Sequence, residues 1–172
     1  MYILGDIGNT ETKICLVNLN NKIIKKIKFP TSKINLKILD KIFKKLIPNI
    51  DDIKKILFCS VVPKSFLLIQ KYFFKKTNIK CYEIKNLNLG SIIKINVNYK
   101  QVGSDRLANS IGTIDNKSNF IILDFGTATT FDVLIKKTYI GGIIAPGIKL
   151  SLITLSDKAT LIPKIDLKKI KK

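Results

Sequence analysis

Leu123-Asp124-Phe125-Gly126-Thr127-Ala128-Thr129-Thr130 returns, 118 residues on, to the pattern of Leu4-Gly5-Asp6-Ile7-Gly8-Asn9-Thr10. In each, an apolar strand pattern closes on an Asp, a Gly follows two residues later, and Thr comes close behind before a second strand pattern begins. The Gly lets the backbone turn tightly and approach a ligand, and the Thr or Asn offers hydroxyl, amide and N–H donors to phosphate oxygens. An ionised Asp is acceptor-only, which suits a hydrated magnesium ion held between protein and phosphates. One such loop reads as an ordinary turn. Two in the same strand context imply an internal duplication and a pair of lobes whose loops grip one nucleotide triphosphate.

Working outward from the first loop, residues 2–7 and 12–18 read as strands, and a third runs from Lys22 to Phe29 after the Asn-rich turn at 18–21. Residues 33–46 carry Ile34, Ile38, Phe43 and Leu46 near helical spacing, with Thr31 or Ser32 as N-cap. A buried strand is expected over 54–62, ended by Pro63, then a helix at 64–75, a strand at 79–84 and a weaker segment at 91–98. Around the second loop lie a helix from about 104 to 115, strands at 119–123, 129–136 and 139–145, and a helix near 148–158 ahead of a Lys-rich tail. This alternation implies an α/β chain of two lobes with mixed sheets, residues 1–100 forming the first and 101–172 the second.

Two further clusters stand out. Gly103-Ser104-Asp105-Arg106 opens a helix and holds Arg106, the one arginine among 31 basic residues. A guanidinium kept where lysine is otherwise universal implies a task for its planar fork, such as binding a carboxylate. Asp105 beside it can accept a proton from a hydroxyl; the plainer reading is a capped helix start with a surface arginine. Gly141-Gly142-Ile143-Ile144-Ala145-Pro146-Gly147 closes a strand before a helix, and reads equally as close backbone approach or as a tight bend.

Composition narrows the chemistry. The 172 residues contain no His, which removes Ser-His-Asp triads, Cys-His pairs and histidine-ligated zinc. Hydrophobic residues make up 46% and charged ones 25%, enough apolar surface for a packed core. Cys15, Cys59 and Cys81 sit in apolar stretches at no metal-binding spacing and read as buried free thiols. A net charge of +19 raises nucleic acid as a partner, but the lysines are spread along the chain among Ile and Asn, so compositional drift is the preferred explanation and no nucleic-acid partner is expected. No apolar run has the roughly 18 residues of a membrane span, and the expected location is the cytoplasm.

In order and spacing these four motifs resemble those of the type III pantothenate kinases, of the acetate and sugar kinase and actin superfamily. The resemblance implies two ribonuclease H-like lobes and transfer of the ATP γ-phosphate to the primary hydroxyl of pantothenate, the first step of coenzyme A synthesis. It further implies an ATP phosphate loop over Asp6, Ile7, Gly8, Asn9, Thr10, Glu11, Thr12 and Lys13, with Asp6 near Mg2+. Gly103, Ser104, Asp105 and Arg106 would form the pantothenate site, with Asp105 as proton acceptor and Arg106 on the substrate carboxylate. Asp124 would hold a monovalent cation (K+ or NH4+), while Gly126 and Thr127 would meet ATP. The family pairs as a homodimer through the helix after Gly147. Family chains continue beyond the equivalent of Lys172 with a Gly-x-Asn-Thr segment, so the second lobe is expected to be shortened. A nucleotide-binding pseudoenzyme or a transcription accessory factor without kinase activity is the alternative.

Overall fold

A computed structural model describes residues 1–47, 49–115, 117–159 and 162–163; the Lys-rich tail lies outside them. The first sheet begins with β1 (Tyr2–Ile7), β2 (Glu11–Val17) and β3 (Ile23–Pro30) as an antiparallel meander. It is extended by β4 (Lys55–Ser60), parallel to β1, and β5 (Cys81–Glu83), parallel to β4, giving the order β3-β2-β1-β4-β5. Parallel neighbours need a crossover. The crossover from β3 to β4 contains α1 (Leu36–Leu46), and that from β4 to β5 contains α2 (Pro63–Thr77).

Alternation along β1 sends Ile3 and Ile7 to one face, where Ile14, Leu16, Ile56 and Phe58 of the neighbouring strands join them. Both helices cover that face with Leu39, Ile42, Phe43, Leu46, Phe66, Ile69 and Phe73. The opposite face carries Leu4, Asp6, Lys13, Cys15, Leu57 and Cys59, the side chains that look into the cleft between the lobes. One expectation needs correction. Residues 31–33 form a 3-10 turn, and α1 is capped by Asn35, whose side chain accepts the Ile38 N–H at 2.9 Å. Thr31 serves a different bond, its Oγ1 lying 2.9 Å from that of buried Thr12.

The second sheet has the order β6-β9-β8-β7, with β6 (Lys94–Ile95), β7 (Asn119–Phe125), β8 (Ala128–Ile135) and β9 (Thr138–Pro146). The weak segment at 91–98 contributes only the two-residue β6, parallel to β9. Helix α3 (Ser104–Thr113) packs on β7 and β8 and also reaches β4. It therefore joins both sheets, and Leu57 and Cys59 of β4 pack against the second core of Ile84, Leu89, Ile93, Val102, Leu107, Leu134 and Tyr139. The other face of this sheet is bare: Ile121, Phe125 and Ile143 are 67%, 64% and 69% exposed. Helix α4 (Ile148–Lys158) buries none of its residues.

Candidate active site

The two Asp-x-Gly loops occupy equivalent places, as the β1–β2 and β7–β8 hairpin turns. They face each other closely enough that Thr10 Oγ1 and Thr127 Oγ1 stand 2.8 Å apart, 117 residues from each other in sequence. Around this contact lies a cavity of about 330 Å³, lined by Asp6, Gly8, Asn9, Thr10, Glu11, Lys13, Asp105, Asp124, Gly126 and Thr127. Ten residues singled out in the sequence thus line one space. Val61, Phe125, Ala128 and Thr130 complete its walls, and the Thr130 hydroxyl is buried without a hydrogen-bond partner.

Three carboxylates from separate elements converge here. Asp6, at the end of β1, receives Lys13 Nζ at 3.3 Å from across the β1–β2 pair, where the two residues are in register. Asp124, near the end of β7, receives Asn109 Nδ2 of α3 at 2.9 Å. Asp105 lies in the first turn of α3, where the free backbone N–H groups and the dipole favour an anion; its Oδ1 accepts the Arg106 N–H at 2.8 Å. Burial raises the Asp105 carboxyl above its ordinary range, and the charges of Asp6 and Asp124 push it the same way, against the Arg106 amide. Behind Asp6, the Cys59 thiol is 3.6 Å from Oδ1, and burial followed by that carboxylate pushes the thiol far up, so it stays protonated.

Other expected residues are placed elsewhere. Ile7 is a fully buried core residue, and Thr12 is buried against Thr31; neither side chain meets the cavity. Ser104 is buried in the first turn of α3. Arg106 is not a surface residue: its side chain runs under the sheet to Asp132 of β8, with Nε donating at 2.8 Å and a terminal nitrogen 2.6 Å from the same oxygen. Tyr139 of β9 donates its hydroxyl to that oxygen at 2.5 Å.

The glycine cluster packs closely against its own sheet and loop, and Gly147 also makes the bend from β9 into α4. A Cβ at Gly142 would overlap the Phe131 carbonyl, the Arg106 guanidinium and the Asp132 carboxylate; one at Gly147 would overlap the Gly126 and Thr127 carbonyls. Gly147 N–H also donates to the Thr127 carbonyl at 3.1 Å, so the turn into α4 buttresses the second loop. Asn109, Asp132 and Tyr139 belong to none of the sequence motifs. Asp132 carried a faint signal, an acid inside the strand pattern Phe131-Asp132-Val133-Leu134.

Among the described residues, no group of three or more His, Cys, Asp or Glu side chains is arranged to hold a metal ion. The hard oxygens of Asp6 nevertheless fit a magnesium ion that arrives with phosphates, because such an ion takes one or two carboxylates and fills its remaining positions with water and phosphate oxygens; the Asp124 carboxylate is a hard-oxygen donor of the kind that a monovalent cation also accepts.

A family model for type III pantothenate kinase matches residues 2–172. The chain belongs to that family. It is 64% identical, over 98% of its length, to the type III pantothenate kinase of Pelagibacter ubique, covering 68% of that relative. Over 68% of its length it is 36% identical to that of Legionella pneumophila (strain Corby), of which it spans only 47%. Its fold is also that of solved structures with little sequence likeness. A Baf family protein of Campylobacter jejuni has a TM-score of 0.52 at 17% identity, over 99% of this chain and 68% of that one. The ethanolamine utilization protein EutJ of Carboxydothermus hydrogenoformans has a TM-score of 0.52 at 10% identity, over 94% and 57%. Two lobes with mixed sheets and paired hairpin loops are the ribonuclease H-like arrangement expected of a type III pantothenate kinase.

Proposed function

We propose that this chain transfers the γ-phosphate of ATP to the primary hydroxyl of pantothenate, giving 4'-phosphopantothenate for coenzyme A synthesis. The observation that carries the reading is the shared cavity: paired loops rich in hydroxyls and N–H groups, with the Asp105 carboxylate facing two further carboxylates. Phosphoryl transfer runs through a loose, in-line transition state, so a protein accelerates it chiefly by positioning the partners and stabilising charge on the transferred group. Residues 8–11 and 126–127 would line the triphosphate with N–H and hydroxyl donors, and Lys13 would add a positive charge beside it. Asp105, half-buried and raised above the usual carboxylate range, is suited to accept the substrate hydroxyl proton.

Asp6 and Asp124 would hold cations, Mg2+ at Asp6 and K+ or NH4+ at Asp124, which offset the negative charge of the phosphates. Arg106 keeps its place on the pantothenate carboxylate in this reading: Asp132 takes the Nε edge of its guanidinium, and the five N–H donors of that group are not all used by one carboxylate oxygen. The test is ATP- and pantothenate-dependent formation of 4'-phosphopantothenate by the purified chain with magnesium and potassium present. A chain that binds ATP and forms no product would establish the pseudoenzyme reading instead.

A homodimer in the cytoplasm belongs to the same proposal. Its support is the bare apolar face of the second sheet, Ile121, Leu123, Phe125 and Ile143, an unusual surface for a monomer in water. No helix among the described residues is long and apolar enough to cross a membrane. Light scattering should return twice the mass of one chain; the mass of a single chain at micromolar concentration would remove the dimer.

A further inference from the structure

Asp132 and Tyr139, behind the substrate motif, have no part in the chemistry described above, yet they hold the most deeply buried charge among the described residues. Asp132 is completely buried, and its Oδ1 accepts Arg106 Nε at 2.8 Å and the Tyr139 hydroxyl at 2.5 Å, while an Arg106 terminal nitrogen stands 2.6 Å away as an ion-pair contact without hydrogen-bond geometry. Its Oδ2 is buried without a partner. An ion pair this far from water is poor evidence of a stability role, because desolvating both charges costs as much as their attraction returns. Such pairs are better explained by the geometry that they fix.

Here the geometry fixed is that of Asp105. Arg106 follows it directly, and the first turn of α3 is held at three points. The Arg106 N–H donates to Asp105, the Arg106 carbonyl accepts the Ser110 hydroxyl at 2.7 Å, and the Arg106 side chain is anchored to the second sheet. Gly142 leaves room for that anchor, since a Cβ there would displace the guanidinium.

We infer that Asp132 is a positioning residue: with Tyr139 it holds Arg106, and through Arg106 it sets the first turn of α3 so that Asp105 faces the phosphate cavity. The inference rests on the proposed kinase reading. If that reading fails, the unsubstituted chain makes no product; if only this inference fails, the unsubstituted chain is active and the variants match it.

The experiment compares the full chain with Asp132→Asn and Tyr139→Phe, well below their unfolding midpoints, in steady-state kinetics and in amide hydrogen exchange. Asp132→Asn should lower kcat by about 100-fold, the size expected for a 1 Å misplacement of a reacting group, while the KM for ATP changes less than about twofold because the Asp-x-Gly loops are untouched. Amides of residues 105–107 should exchange faster in this variant, with the β1–β2 hairpin unchanged. Tyr139→Phe removes one of three contacts and nothing else, and should move both readouts the same way by a smaller factor. Should Asp132→Asn not fold, Tyr139→Phe alone decides. Unchanged kcat and unchanged exchange at 105–107 overturn the inference, as does a loss seen equally in kcat and in the KM for ATP.

Discussion

Asp105 is a carboxylate whose surroundings oppose its charge, and its neighbour's amide is what steadies it. On the proposed reading it accepts the proton of the attacking hydroxyl. Asp105→Asn keeps the size and the place in the first turn of α3 but removes the basicity, so kcat should fall by about 100- to 10,000-fold, the usual worth of general-base help. ATP should bind the variant with affinity close to that of the original, as measured by calorimetry with a nonhydrolysable analogue; near-normal turnover would remove Asp105 from its role. Legibility at this scale was uneven. Asp105 stood beside the only arginine in the sequence, a local signal. The partner of that arginine did not, because Asp132 is 26 residues away, and its place opposite Arg106 exists only once β8 has found its neighbours. For the same reason the plainer reading of Arg106 as a surface side chain does not hold, since folding buries it.

At the scale of elements, the strands were legible because period-two alternation survives the lysine-rich composition: Ile3 and Ile7 bury their face of β1 whatever stands between them. Helix starts were harder to read. Thr31, Ser32 and Asn35 all have capping side chains, and propensity does not choose among them. The choice is made by tertiary contact, since Thr31 is drawn into bonds with Thr12 and the Gly8 carbonyl, leaving Asn35 to close α1. Asn35→Ala should therefore cost about 1 kcal/mol, lowering the midpoint of thermal unfolding by about 2–4 °C for a chain of this size. Thr31→Ala should disturb the first phosphate loop instead, through the bond to Gly8. An Asn35→Ala midpoint equal to that of the unsubstituted chain would show that Asn35 does not stabilise α1 as its cap.

The whole molecule carries a net charge of +19, and the described residues offer only four ion pairs to offset it, three of them substantially exposed. Exposed pairs contribute little, so self-repulsion among lysines should dominate the electrostatics of folding. Raising ionic strength from 0.01 to 0.15 M shortens the screening length from about 30 Å to about 8 Å, and the unfolding midpoint should rise with it. A midpoint that falls on adding salt would mean that the lysines are paired in ways that the fold does not reveal. The two-lobed plan was legible from its duplicated loops, whose separation in sequence is too long for coincidence in so similar a strand context. An uncovered apolar surface on the second lobe was expected as well, but not which strands carry it, because a strand with one solvent-facing apolar side has the same alternation as one packed against a partner.

The contact between Thr10 and Thr127 bears on how such a cleft receives its guest. Each hydroxyl is a rotor that can donate or accept, and each satisfies the other across the cleft. An anion seated beside the pair can accept both hydrogens, so one contact is exchanged for two donors. Rotation about two C–O bonds is a small cost beside the ordering of a loop, so this pair adds donors to the cleft at little entropic expense.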